Sequence, residues 1–208
     1  VSKLDDLESS VSRETLQDLR LYEAELLKWT KTINLISHGT VEHSWQRHIM
    51  DSVQLWPLIG PARRLVDLGS GGGLPGIPIA ILAKHHGTVE QVTLVESDGR
   101  KAIFLKEVAR KLKLNCRVLT ERVERVAPQN ADICTARALS SLSALLEFAH
   151  RHLAPTGRAY FLKGSKVDTE LQKAKENWDF SLKAHRSITD PNGSILEIEG
   201  VRLWPTRS

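Results

Sequence analysis

Cysteine is scarce in this chain of 208 residues, limited to Cys116 and Cys134. Two isolated thiols build no disulfide framework, and a reducing, cytoplasmic setting suits them. There is no CxxC pair and the eight histidines are scattered, so no metal-ligand set is expected. Long apolar runs are missing too. Nothing approaches the roughly 20 residues that span a bilayer, and the charged first twenty residues argue against a signal peptide. Proline and glycine, at 8 and 13, are too few for a collagen-like chain. A composition 41% hydrophobic and 26% charged excludes disorder throughout and fits one globular domain. The charge of +4, from 29 basic and 25 acidic residues, does not by itself separate a solvated surface from a polyanion partner.

The first 60 residues read as amphipathic helix. Ser12 is a candidate N-cap ahead of Glu14, with Leu16, Leu19, Glu23, Leu26 and Leu27 at helical spacing. A second helix is expected from about Thr40, with Val41, Trp45, His48, Ser52 and Trp56 as its stripe and Pro57 as its stop. From Arg64 the pattern changes to strands alternating with helices. Leu65–Leu68, Val92–Glu96, Cys116–Leu119, Asp132–Thr135 and Ala159–Leu162 read as strands, which implies crossover units and a mostly parallel sheet. Asp190-Pro191-Asn192-Gly193 is a turn signal between Ser181–Ile188 and Ser194–Val201, predicting an antiparallel hairpin at one sheet edge. The expected fold is a Rossmann-like α/β domain over residues 61–208 behind a helical extension over residues 1–60.

The strand at Leu65 runs into Asp67-Leu68-Gly69-Ser70-Gly71-Gly72-Gly73-Leu74-Pro75-Gly76. Glycines between a strand and a helix let the backbone approach a ligand at the carboxyl edge of the sheet. Gly71-x-Gly73-x-x-Gly76, with Glu96 about 20 residues further on, satisfies a dinucleotide fingerprint. That leaves an NAD-dependent oxidoreductase open. The competing ligand is S-adenosylmethionine. Asp67 would repel a pyrophosphate but attract the ammonium of a methionine moiety, directly or through water, while Glu96 would take the ribose hydroxyls in either case. Asp67, Gly69, Gly71, Gly73 and Glu96 are therefore candidate cofactor residues, and the two acids favour S-adenosylmethionine.

The same loop, continuing through Ile77-Pro78, resembles that of the bacterial 16S rRNA guanine-N7 methyltransferases, the glucose-inhibited division protein B family. Trp29-x-x-x-Ile33-Asn34-Leu35-Ile36, Arg47-His48-Ile49-Met50-Asp51-Ser52, Leu94-Val95-Glu96-Ser97, Arg137-Ala138 and Leu162-Lys163-Gly164 carry the likeness over residues 15 to 165. The last forty residues match it weakly. The resemblance implies a class I methyltransferase fold, cofactor contacts at Gly69, Leu74, Val123, Glu124 and Arg137, and a guanosine of the 16S rRNA decoding region as target. It also implies the small ribosomal subunit as partner, for a chain expected to be monomeric.

The remaining residues fit that chemistry. Thr135-Ala136-Arg137-Ala138 stands where amine methyltransferases carry an Asn/Asp-Pro-Pro-aromatic motif, and Cys134 lies inside a strand, where a cysteine nucleophile would be misplaced. Guanine N7 needs neither device, because its lone pair carries no proton, and no acid–base catalyst is expected. Arg137 is the candidate clamp on guanine O6, on a phosphate or on the methionine carboxylate, or else one half of a structural ion pair. Arg100, Lys101, Arg122, Arg125, Lys163 and Lys166 converge on one sheet edge as a candidate phosphate-binding rim. Arg47 and His48 are candidate substrate residues, or else pair with Asp51 at i,i+4 and i,i+3 and clip the helices to the sheet. A non-catalytic RNA-binding module that keeps the pocket is not separable from the enzyme at this level.

Overall fold

The computed structural model describes residues 3–204. Two helices come first, α1 (Lys3–Ser9) and α2 (Arg13–Thr30). Ser12 caps α2 by accepting from the Thr15 amide at 3.2 Å, and Leu19, Tyr22 and Leu26 form its buried face. Trp29 packs on Phe104 with ring centroids 5.6 Å apart.

The single helix expected from Thr40 is instead broken into pieces. A 3-10 turn covers His38–His43, a π-helical turn Trp45–Met50, a short α3 Asp51–Val53 and a second 3-10 turn Trp56–Leu58. The wider π turn rotates each residue away from its place in an i,i+3/i+4 register. Of the predicted stripe only His48 and Ser52 are buried, and Pro57 lies inside the last turn rather than ending a helix.

Among the described residues seven strands form one sheet in the order β3-β2-β1-β4-β5-β7-β6. They are β1 (Ala62–Leu68), β2 (Val89–Val95), β3 (Cys116–Leu119), β4 (Ala131–Arg137), β5 (Leu153–Lys163), β6 (Trp178–Arg186) and β7 (Ser194–Leu203). The first five are parallel, and β7 inserts antiparallel between β5 and β6. The predicted hairpin is therefore present. Its strands are longer than the sequence indicated, as are β1, β2, β4 and β5. Strand order reverses between β1 and β4, so a cleft opens outside their carboxyl ends.

Helices α4 (Gly76–His86) and α5 (Gly99–Lys111) cover one face; α6 (Leu142–His152) and α7 (Val167–Ala174) cover the other. Every residue of α4 from Gly76 to Ala83 is buried, because the sheet lies beneath it and α2 above it. Helix α7 left no readable pattern in the sequence, and Ala174 is its one fully covered residue. The N-terminal helices share a single apolar core with the sheet: Leu19, Tyr22, Leu26, Ile49 and Met50 cluster with Leu65, Ile77 and Leu94.

That shared core fixes the loop after β1. The Tyr22 hydroxyl donates to the Gly72 carbonyl at 2.6 Å, and a Cβ on Gly72 would meet Leu26 and the Leu35 carbonyl. Tyr22→Phe removes the donor and leaves a buried carbonyl unpaired. Urea denaturation should show a loss of about 1–2 kcal/mol with no change in far-UV circular dichroism.

Candidate active site at the carboxyl edge of the sheet

A cavity of about 470 Å³ lies outside the ends of β1, β2 and β4. Its floor is the glycine loop, from Gly69 to Gly72 with Leu74, and its walls are Glu96, Lys101, Arg122 to Glu124, and Arg137 to Leu139. Leu35 to Ser37 and His48 of the N-terminal segment close the third side. Gly69 and Gly71 have φ of +63° and +55°, which bring the chain over the strand end. The Ser70 amide bonds the Val95 carbonyl at 2.9 Å, tying the loop to β2.

Glu96 is buried at the end of β2. One carboxylate oxygen accepts from the Gly71 amide at 2.8 Å and the other from the Asp98 amide at 2.7 Å. Each oxygen has a second lone pair free for a ligand hydroxyl. Asp98 caps α5 through the Arg100 and Lys101 amides, so Glu96 also sets where that helix begins.

Asp67 occupies a different place from the one its sequence position indicated. It does not line the cavity, and its carboxylate is fully buried. The β1–β4 register sets it opposite Thr135, whose hydroxyl donates to Asp67 Oδ1 at 2.7 Å. Its Oδ2 accepts no well-formed hydrogen bond among the described residues and lies under the first turn of α4, against the Gly76 backbone, where a Cβ on Gly76 would come within 2.7 Å of it. Burial raises this carboxyl to about 6. Asp67 thus acts on the loop and the helix start rather than directly on a ligand's ammonium. Gly73 is likewise outside the lining; at φ +88° it leaves room for Ile77 and Leu105.

Arg137, at the end of β4, has 20% of its side chain exposed. Its Nε pairs with Asp51 Oδ2 at 3.2 Å, and its Nη2 donates to the Arg47 carbonyl at 2.8 Å and to His48 Nδ1 at 2.9 Å. The expected Arg47–Asp51 and His48–Asp51 pairs are replaced by this arrangement, because the π turn points Asp51 toward β4. A guanidinium only donates, so His48 Nδ1 accepts and its Nε2–H donates to Thr40 Oγ1 at 2.7 Å. Burial first, then Arg137 and Arg47, lower His48 to about 4. Burial raises Asp51, which also accepts from Thr189 and Gln54.

The candidate substrate residues divide. His48, Lys101 and Arg122 line the cavity, whereas Arg47, Arg100 and Arg125 are exposed outside it. Lys163 and Lys166 border a second cavity. Lys163 is held by Glu170 at 2.6 Å and by the Ser140 carbonyl at 3.0 Å, so its charge is already met. Sequence spacing gave no sign of several supporting residues. His152 donates to the Val123 carbonyl at 3.1 Å, and Arg151 to the Val126 carbonyl at 3.0 Å, pinning the loop after β3. Burial pushes the Cys116 thiol up to about 12 and raises that of Cys134 as well. Neither is a nucleophile.

The model of the family described as rRNA small subunit methyltransferase G matches residues 15–196, which reaches into the C-terminal hairpin beyond the sequence resemblance. The chain belongs to this family. A ribosomal RNA small subunit methyltransferase G of Paramagnetospirillum magneticum is 48% identical over 93% of this chain and 92% of its own length. One from a Jannaschia species is 45% identical over 95% and 94%. Among solved structures, an S-adenosylmethionine-dependent methyltransferase of Aquifex aeolicus superposes with a TM-score of 0.55 at 16% identity. The match covers 74% of this chain and 92% of that one, and shows the shared class I methyltransferase fold. The chain is thus an enzyme of the methyltransferase class, which sets aside the oxidoreductase and non-catalytic readings. Among the described residues no helix is long and apolar enough to cross a membrane.

The linkage at His48 has a definite sign. Its native pKa lies below the unfolded value, so the unfolded chain binds more protons between about pH 6.5 and 4 and stability falls as pH drops through that window. His48→Gln keeps an acceptor for Arg137 without the titration. Chemical denaturation at pH 7 and pH 5 should show wild type losing more stability than the variant; equal losses would contradict the assignment.

Proposed function

We propose that this enzyme transfers a methyl group from S-adenosylmethionine to N7 of one guanosine in the decoding region of 16S rRNA, within the small ribosomal subunit. The observation that carries this reading is the cavity at the strand-order reversal. There, a glycine loop and a buried carboxylate one strand away face the same space in a chain of this family.

The residues suit the cofactor. Glu96 would take the ribose hydroxyls on its free lone pairs, and the Val123–Glu124 backbone would border the adenine. Gly69, Gly71 and Leu74 would let the methionine moiety lie against the loop. Asp67, Gly73 and Gly76 hold that loop's shape. When bound, S-adenosylmethionine supplies an electrophilic methyl carbon, whose transfer to N7 moves the positive charge from sulfur to the base and displaces no proton.

The protein's own groups agree with chemistry that needs no base. The imidazole of His48 is neutral above about pH 4, and its Nδ1 lone pair is committed to Arg137. Catalysis then rests on holding two reactants in line and keeping competing nucleophiles away. Lys101 and Arg122 on the cavity wall, with Arg100 and Arg125 further out, would meet the RNA backbone. The N-terminal helices act as a clamp over the loop through Tyr22 and Leu26 against Gly72, and they bury their apolar face in this chain's own core, which supports action as a monomer. A substrate in the ribosome places the enzyme in the cytoplasm.

Small subunits from cells lacking this protein, incubated with methyl-labelled S-adenosylmethionine, should take label into 16S rRNA. Borohydride reduction and aniline should then cut at a single guanosine. Labelled RNA that resists cleavage would place the methyl elsewhere. Glu96→Gln keeps the side chain's size but sets its NH2 against the Gly71 or Asp98 amide and removes an acceptor for ribose. Calorimetry should show S-adenosylhomocysteine binding reduced by about tenfold or more.

A further inference from the structure

A second cavity, of about 390 Å³, opens beside the first at the ends of β4 and β5. Arg137 and Ala138 are common to both linings. Ala138 has φ +51°, a left-handed conformation that alanine adopts at a cost and that marks functional turns. The two cavities are therefore adjacent, and Arg137, with its guanidinium, belongs to both walls.

The state of that guanidinium is informative. Nε is committed to Asp51, and Nη2 to the Arg47 carbonyl and His48. Nη1 is buried and has no partner among the described residues. A buried cationic donor without an acceptor is costly unless a ligand completes it. The second cavity also presents Asp190, Ser194, Ser165 and the exposed Lys166.

Guanine offers O6 and N7 side by side, and an unencumbered arginine grips both with two parallel N–H groups. Such a grip would occupy the very lone pair that has to attack. Arg137 cannot make it, because only Nη1 remains. Resting on the function proposed above, we propose that the second cavity is the subsite for the acceptor base, and that Arg137 Nη1 donates to O6 of the target guanine. N7 is then left free toward the first cavity. Asp190 supplies an acceptor of the kind that N1–H and the amino group of guanine require. Adenine carries a donor where guanine has O6, so it would set donor against donor.

Filling the second cavity tests this. Ser194→Trp and Ser165→Trp should each lower kcat/KM for unmethylated small subunits by about 100-fold while the affinity for S-adenosylhomocysteine stays within about twofold. Retained activity in both variants, or parallel loss of S-adenosylhomocysteine binding in both, would overturn the subsite. Arg137→Gln separates the two possible ligands of Nη1. If it weakens S-adenosylhomocysteine binding but not that of methylthioadenosine, which lacks the amino-acid carboxylate, Nη1 belongs to the methyl donor and the O6 assignment fails. Binding of both compounds unchanged, with methyl transfer lost while the melting temperature stays near that of wild type, supports it. Wild-type enzyme that labels no guanosine would instead refute the proposed function, and the subsite with it.

Discussion

A guanidinium withdrawn from water needs acceptors around it, and Arg137 finds them in a segment ninety residues upstream. Its pair with Asp51 joins the end of β4 to α3, and Asp51 in turn takes the hydroxyl of Thr189 from the turn before β7. Gln54 strengthens the same junction. Its amide nitrogen donates to Asp51, Ser187 and Thr189, and its oxygen accepts from the Ile188 amide. The N-terminal segment, the middle of the sheet and the C-terminal hairpin therefore meet at one largely buried charge pair. Breaking such a pair costs far more than it contributes while intact, since a lone charge is left behind.

The glycine loop is held in a comparable way from several sides. Tyr22 fixes the Gly72 carbonyl from above, Glu96 fixes the Gly71 amide from the neighbouring strand, and Asp67 sits beneath the helix start. A loop with this many glycines has much conformational freedom to lose. Contacts at successive residues restrain it before any ligand arrives, so less ordering remains for the ligand to impose.

Much of the sheet was legible because its strands are short apolar runs bounded by turn residues, and β3 coincides with its expected span. The place of Glu96 on the cavity wall was legible because its distance from the glycines is a local property of the β-loop-α-β unit. The segment from His38 to Leu58 was not. A π turn leaves the apolar residues in a pattern that an ordinary helix also explains, and nothing local distinguishes the two. Asp67 shows a different limit. Its position at the strand end was readable, but its direction depends on which β4 residue lies opposite, and the register gives it Thr135. Arg137 stood out as a cation at the mouth, while its acceptors, ninety residues away in sequence, could not be read from spacing.

The two cavities draw on different lengths of chain. The first is lined from Leu35 to Phe148, the second from Asp51 to Ile195. A nascent chain therefore has every wall of the first cavity synthesised well before β7, but the second lacks a side until the hairpin has emerged. Order of synthesis thus sets an order of availability: the pocket beside the glycine loop has its residues first, and the hairpin strands, made later, complete the space next to it.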